Sequence, residues 1–105
     1  MAGKYSKDIL PDEVKHRLEQ GEKLQVVDVR EPDEWTSGHI PGARHIPLGS
    51  IHQRHIELDL KQEYIIVCRS GGRSSLACEL LEGLGYKVAN MPGGMLEWDG
   101  DVSYD

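Results

Sequence analysis

Cysteine is scarce in this chain of 105 residues, which contains only Cys68 and Cys78. If both lie in one helical segment, ten positions separate them by roughly 15 Å, which is too far for a disulfide. Neither belongs to a Cys-x-x-Cys pair or accompanies a suitably spaced pair of histidines, so no structural zinc is predicted. The sequence therefore provides free thiols, which suit a reducing compartment.

Long apolar runs and an excess of positive charge are also lacking. No stretch approaches the roughly 18 apolar residues of a membrane span, and residues 1–8 lack the apolar run of a secretory signal. The formal net charge of -6 excludes a globally attractive surface for nucleic acid or anionic lipid. We therefore expect a soluble, cytoplasmic monomer that binds neither nucleic acid nor membrane and carries no metal or other cofactor.

Apolar strand-like runs alternate with helical segments along the chain. No repeat, low-complexity stretch or linker is visible, so we expect one domain over residues 1–105 with a core of about residues 5–99. Leu24–Val29 and Tyr64–Val67 are typical of strands covered on both faces, and residues 73–84 have helical spacing. This alternation predicts an α/β fold with a parallel sheet, whose sites lie at the carboxyl ends of the strands.

The segment after the strand Tyr64–Val67 reads Cys68-Arg69-Ser70-Gly71-Gly72-Arg73. A glycine-rich loop between a strand and a helix can turn several backbone N–H groups inward, and the helix N-terminus adds the positive end of its dipole. Arg69 and Arg73 add positive charge, so we expect the pKa of the Cys68 thiol to be lowered. The sequence predicts a reactive thiolate held in an anion-binding loop.

Both cysteines also have a purely structural interpretation, because a lone cysteine after an apolar strand is often a small core residue. Packing alone does not require the arginines, serines and glycines that follow Cys68, so we favour a reactive role there. Cys78 lies among Leu76, Ala77, Leu80 and Leu81 and is expected to pack in the core.

Asp28 and Arg30 follow the strand Leu24–Val29 and are expected at the same sheet edge as Cys68. Charged residues in this position often pair locally. We expect Asp28 to accept hydrogen bonds from the loop or a neighbouring turn, and Arg30 to act as an ion-pair partner. Both residues, together with Ser74, are supporting candidates rather than catalytic ones.

Four segments, in order, resemble motifs of the rhodanese family. Residues 68–74 resemble its active-site loop, residues 27–35 its Asp-x-Arg segment, residues 38–43 its Gly-His-Ile-Pro-Gly-Ala turn, and residues 92–98 its closing Gly-Gly and Trp motif. The resemblance spans nearly the whole chain. It implies a five-stranded, mostly parallel sheet flanked by helices on both faces, with a short first strand near residues 5–10.

The resemblance also implies a thiosulfate sulfurtransferase activity. Cys68 would be the nucleophile and would carry sulfur as a persulfide, taking it from thiosulfate or a related donor and passing it to cyanide or a thiol. Proteins of a sulfur relay would be its macromolecular partners. The residues implied in substrate binding are those of the loop, Arg69, Ser70, Gly71, Gly72 and Arg73.

Three other functions fit parts of the pattern. Protein phosphatases use a similar cysteine loop, but Cys68 and Arg73 have four residues between them, one fewer than the phosphatase signature, and we expect no useful phosphatase activity. A delivery module that receives sulfur from a partner protein would share the same chemistry and stays open. An inactive regulatory homologue would be expected to lack the loop cysteine, which is present.

Overall fold

The computed structural model of the protein describes residues 5–105 and contains a sheet of parallel strands. In chain order these are β1 (Gln25–Asp28), β2 (Arg44–His45), β3 (Glu63–Val67) and β4 (Lys87–Asn90). The strands lie in the order β2-β1-β3-β4, and every neighbouring pair is parallel. Asp28 stands opposite Val67, so the segments that leave β1 and β3 emerge side by side at one sheet edge.

The prediction of a fifth strand near residues 5–10 is wrong, since residues 5–105 form four strands. The predicted segment makes a single parallel bridge, Asp8 to Asn90. Asn90 donates to the Lys7 carbonyl at 3.0 Å and accepts from the Ile9 N–H at 2.8 Å. The first helix begins at Pro11, and because proline has no N–H to extend a ladder, the extended segment ends there.

Within residues 5–105, four α-helices flank the sheet. They are α1 (Pro11–Glu19), α2 (Pro32–Thr36), α3 (Ile51–Arg54) and α4 (Gly72–Gly83), and short 3₁₀ helices cover Leu48–Ser50, His55–Glu57 and Gly94–Glu97. Both α1 and α2 begin with proline, where the missing N–H has no intrahelical partner to lose. Within residues 5–105, no helix has the length and apolarity needed to cross a membrane.

The strands bury alternate side chains on the two faces of the sheet, as the period of two requires. One core cluster joins side chains of β1, β3 and β4 to those of α4, and includes Val27, Ile66, Val88, Ala77, Cys78 and Leu81. A second cluster joins the opposite faces of the same strands to α1, and includes Val26, Ile65, Ala89 and Val14. The helices therefore pack on both faces, and β3 is buried between them.

Candidate active site

Cys68 comes directly after β3 and lies at the base of the loop that leads into α4. The residue is 0% exposed. Its Sγ accepts a hydrogen bond from the Gly71 N–H at 3.0 Å and lies 3.3 Å from the Ser74 hydroxyl oxygen. Ser74 belongs to the first turn of α4, so the positive end of the helix dipole lies next to the sulfur.

The two cysteines have opposite pKa shifts. Burial raises the pKa of the Cys68 thiol, but hydrogen bonds from Ser74, Gly71 and Ser70 stabilise the thiolate, and the net pKa lies below its ordinary value. For Cys78, burial raises the pKa to about 12, and the residue packs in the core on the α4 face. Hydrogen bonds rather than the two arginines are thus the main causes that lower the pKa of Cys68.

Gly71 gives the loop the backbone conformation that brings its N–H to the sulfur. Its φ is +107°, a region that residues with a Cβ rarely adopt. A Cβ at this position would lie 3.2 Å from the backbone nitrogen of Gly93. Glycine is therefore required here both by conformation and by the close approach of a second chain segment.

The 3₁₀ helix Gly94–Glu97 holds the loop from its other side. The Met95 N–H donates to the Cys68 carbonyl at 2.8 Å, and the Leu96 N–H donates to the Arg69 carbonyl at 3.0 Å. A Cβ on Gly94 would lie 2.5 Å from the Cys68 carbonyl oxygen, so this approach also requires glycine. The sequence pattern contains these glycines, but nothing in their spacing indicates which loop they contact.

The substrate-binding candidates of the loop occupy different environments. Arg69, Ser70 and Gly72 are exposed around the buried sulfur. Arg73 instead forms a bidentate ion pair with Glu34, with Nη1 to Oε1 at 2.7 Å and Nη2 to Oε2 at 2.8 Å. Arg73 lowers the pKa of Glu34 to about 2. No local sequence pattern indicates a role for Glu34, because its partner Arg73 is distant in the chain.

Asp28 and Arg30 form a buried ion pair beside the loop. Arg30 donates from Nη2 to Asp28 Oδ2 at 2.8 Å and from Nε to both carboxylate oxygens at 3.0 Å. Nη2 also donates to the Gly38 carbonyl at 2.8 Å. Among the described residues, no hydrogen bond joins Asp28 to residues 68–74, so the pair fixes the end of β1 and the turn at Gly38 rather than the loop itself.

Aromatic stacking fixes the turn that follows α2. The rings of Trp35 and His39 stack with centroids 3.4 Å apart, and His45 stacks on Trp35 at 4.7 Å. His39 Nδ1 lies 2.8 Å from the Trp35 carbonyl oxygen. The Trp35 ring, on the same helix as Glu34, therefore packs against the imidazole rings of His39 and His45.

This arrangement of strand, cysteine loop and helix can be compared with known families. The family description "Rhodanese-like domain" matches residues 10–101, a range that contains Cys68, its loop and the Gly94–Glu97 helix. The chain belongs to the rhodanese-like family. The family membership that the four sequence motifs predict is thereby confirmed.

Individual relatives agree with this membership. YtwF of Bacillus subtilis is 41% identical over 96 residues, covering 91% of this chain and 93% of the relative. The thiosulfate sulfurtransferase GlpE of Pseudomonas putida is 34% identical over 90 residues, covering 85% and 82%. A crystal structure of a rhodanese-like domain protein from Staphylococcus aureus superposes with a TM-score of 0.90 at 35% identity, covering 95% and 99%. Sulfur transfer is the activity that this membership supports.

Proposed function

We propose that the protein is a thiosulfate sulfurtransferase that works through a persulfide on Cys68. The observation that carries this proposal is the 3.0 Å hydrogen bond from the Gly71 N–H to Sγ, at the N-terminus of α4. An anionic sulfur is stabilised at such a position by both the N–H group and the helix dipole. The proposed donor is thiosulfate or a related sulfane compound, and the proposed acceptor is a thiol or cyanide.

The reaction divides into two displacements at sulfur. In the first, the Cys68 thiolate attacks the outer sulfur of thiosulfate, the sulfur–sulfur bond of the donor breaks, and sulfite leaves with the bonding electrons. In the second, the acceptor attacks the outer sulfur of the persulfide, and Cys68 leaves as a thiolate. The first step requires no general base on the enzyme once Cys68 is a thiolate, and the lowered pKa of Cys68 increases the thiolate fraction.

The burial of Cys68 favours a donor with a small reacting end. The sulfur is covered at the base of the loop, whereas Arg69, Ser70 and Gly72 are exposed above it. A donor must therefore insert its terminal atom into the loop while its charged groups stay near the exposed residues. A single terminal sulfur with an anionic sulfonate behind it, as in thiosulfate, fits this requirement.

Intact-protein mass after treatment with thiosulfate tests the proposal. We expect the protein to gain one sulfur atom and to lose it again on addition of cyanide. Cys78→Ser should behave like the unmodified protein, because Cys78 has a raised pKa and lies in the core. Cys68→Ser should gain no mass.

Two outcomes of the mass measurement would contradict the proposal. If Cys78→Ser abolishes loading while Cys68→Ser retains it, the assignment of the nucleophile is wrong. If no protein gains sulfur from thiosulfate or from an organic thiosulfonate, the proposed donor class is wrong. Circular dichroism of each variant establishes that a loss of loading does not come from unfolding.

A further inference from the structure

The two arginines of the cysteine loop differ in their charge partners. Arg69 is exposed and forms no ion pair within residues 5–105, whereas both terminal nitrogens of Arg73 bind Glu34. The Arg73 and Glu34 side chains are 33% and 23% exposed, so water screens this pair less than a fully exposed one. One of the two positive charges that the sequence offers to an anion is therefore neutralised by the protein.

Glu34 occupies the Nη1–Nη2 edge of Arg73, one of the edges through which a guanidinium binds an oxyanion. A guanidinium recognises a carboxylate through two parallel N–H groups, and it recognises two oxygens of a sulfur or phosphorus oxyanion in the same way. Because Glu34 engages Nη1 and Nη2 together, a donor must displace the carboxylate to use that edge and otherwise meets only the Nε side of a cation already neutralised by Glu34. Arg69 has no such competitor.

Glu34 is itself held in place by α2. Its Oε1 accepts the Glu31 N–H at 3.0 Å as part of the capping box at the start of this helix. The carboxylate is therefore positioned by the fold. Its presence reduces the formal charge of the group Arg69, Arg73 and Glu34 from two positive charges to one.

We propose that Glu34 is a positioning residue that sets the charge selectivity of the site. By holding Arg73, it leaves Arg69 as the cation that meets the anionic donor, and it weakens the attraction for a doubly charged donor more than for a singly charged one. This inference rests on the proposed function, because it concerns the choice among sulfane donors for Cys68.

The variant Glu34→Gln tests the inference, because glutamine keeps the shape and a capping oxygen but removes the charge. KM and kcat are measured with thiosulfate, a dianion, and with methanethiosulfonate, a monoanion, using cyanide as acceptor. We expect the KM for thiosulfate to fall about fivefold, which corresponds to the ~1 kcal/mol of a partly exposed ion pair. The KM for methanethiosulfonate should fall only about twofold, because a monoanion gains about half the electrostatic free energy of a dianion, and kcat should stay within about twofold for both donors.

Two further variants identify the origin of the change. The double variant Glu34→Gln, Arg73→Gln should not show the lower KM for thiosulfate, because the cation of Arg73 is then absent. Glu57→Gln removes a carboxylate that pairs with Arg54 at 2.8 Å, outside the cysteine loop, and should leave the ratio of the two KM values unchanged. The matched control separates a local effect from a change in net charge.

A readout that needs no sulfur donor is the pH dependence of Cys68 alkylation by iodoacetamide. The charges of Arg73 and Cys68 interact, and Arg73 released from Glu34 should stabilise the thiolate more strongly. Cys68 in Glu34→Gln should therefore titrate at lower pH than in the unmodified protein. Cys68 in Glu57→Gln should titrate at the same pH as in the unmodified protein.

The possible failures are distinguishable. If sulfur loading is normal but the KM of Glu34→Gln for thiosulfate is unchanged or raised, the inference is wrong and the proposed function still stands. Equal losses of kcat with both donors would show that Glu34 has only a structural role and would also overturn it. If the unmodified protein takes up no sulfur from either donor, the proposed function fails and the inference fails with it.

Discussion

At the scale of single residues, hydrogen bonding rather than burial distinguishes the two thiols. Cys68 and Cys78 are both 0% exposed, and burial raises the pKa of each. Of the two, only Cys68 has a backbone N–H directed at its sulfur and a hydroxyl oxygen within 3.3 Å of it. A few donors at a helix N-terminus thus reverse the effect of complete burial on the pKa.

Removal of one of these donors should raise the pKa of Cys68. In Ser74→Ala the thiolate loses a hydroxyl partner now 3.3 Å away, and because this hydrogen bond lowers the pKa of Cys68, the pKa should rise towards its ordinary value. The rate of alkylation at neutral pH should fall accordingly, because less thiolate is present. The measurement is the pH profile of iodoacetamide alkylation at Cys68, with the site identified by peptide mass.

Ser75→Ala is the matched control for this prediction. Ser75 is the neighbouring serine of α4, and no hydrogen bond from its side chain to Cys68 is found in the described part of the chain. The pH profile of Cys68 alkylation in Ser75→Ala should follow that of the unmodified protein. Equal shifts in both variants would mean that the effect comes from a disturbed helix rather than from the hydroxyl.

The position of Cys68 in a loop between a strand and a helix could be predicted from the sequence, because the loop and its strand are contiguous in the chain. The groups that surround its sulfur were only partly predictable. The spacing of Arg69 and Arg73 indicated positive charge, but the partner of Arg73 is Glu34 on another helix. Local spacing contains no information on such a contact, which depends on how β1 and β3 pair.

At the scale of secondary structure elements, α4 both carries the loop and packs one face of the sheet. Its leucines lie on two sides: Leu81 is 0% exposed, whereas Leu76 and Leu80 are each 47% exposed. Periodicity alone could not separate these sets, because apolar residues surround most of the helix. The contact with β3 and β4 decides which leucine is buried.

Truncation of adjacent leucines should therefore have very different effects. Leu81→Ala removes a fully buried side chain and leaves a cavity, so the free energy of unfolding should fall by about 3 kcal/mol. Leu80→Ala removes a half-exposed side chain and should cost less than about 1 kcal/mol. Urea denaturation followed by circular dichroism measures both values, and similar losses for the two variants would contradict the observed orientation of α4.

The strands were predicted better where their residues are apolar and β-branched. Residues 64–67 fall within β3, and residues 24–29 contain β1. The segment near residues 5–10 was wrongly expected to be a full strand, because its polar residues and Pro11 limit it to one bridge. A short extended segment that depends on a neighbouring strand for its hydrogen bonds has little sequence pattern by which it could be predicted.

At the scale of the whole molecule, the ion pair between Glu34 and Arg73 joins α2 to α4. The pKa of Glu34 is about 2, below its ordinary value of 4.5. A carboxylate whose pKa is lowered by folding stabilises the folded state above its unfolded pKa, and this contribution is lost as the pH falls through the folded pKa. The contribution of this ion pair to stability is therefore lost as the pH falls from about 4.5 to about 2.

Acid should accordingly destabilise the unmodified protein more than Glu34→Gln. The difference in free energy of unfolding between the two proteins should favour the unmodified protein at pH 7 and shrink as the pH approaches 3. Other carboxylates titrate in both proteins, so the difference, rather than either curve alone, is the quantity to compare. A difference that is constant from pH 7 to pH 3 would contradict the assigned role of the ion pair.

The single bridge between Asp8 and Asn90 bears on how the molecule behaves in concentrated solution. It places a short backbone segment against the outer edge of β4, and the opposite edge of the sheet is β2, only two residues long. Exposed sheet edges are the usual templates for intermolecular strand addition. With one edge partly covered and the other very short, the native fold offers little template for aggregation.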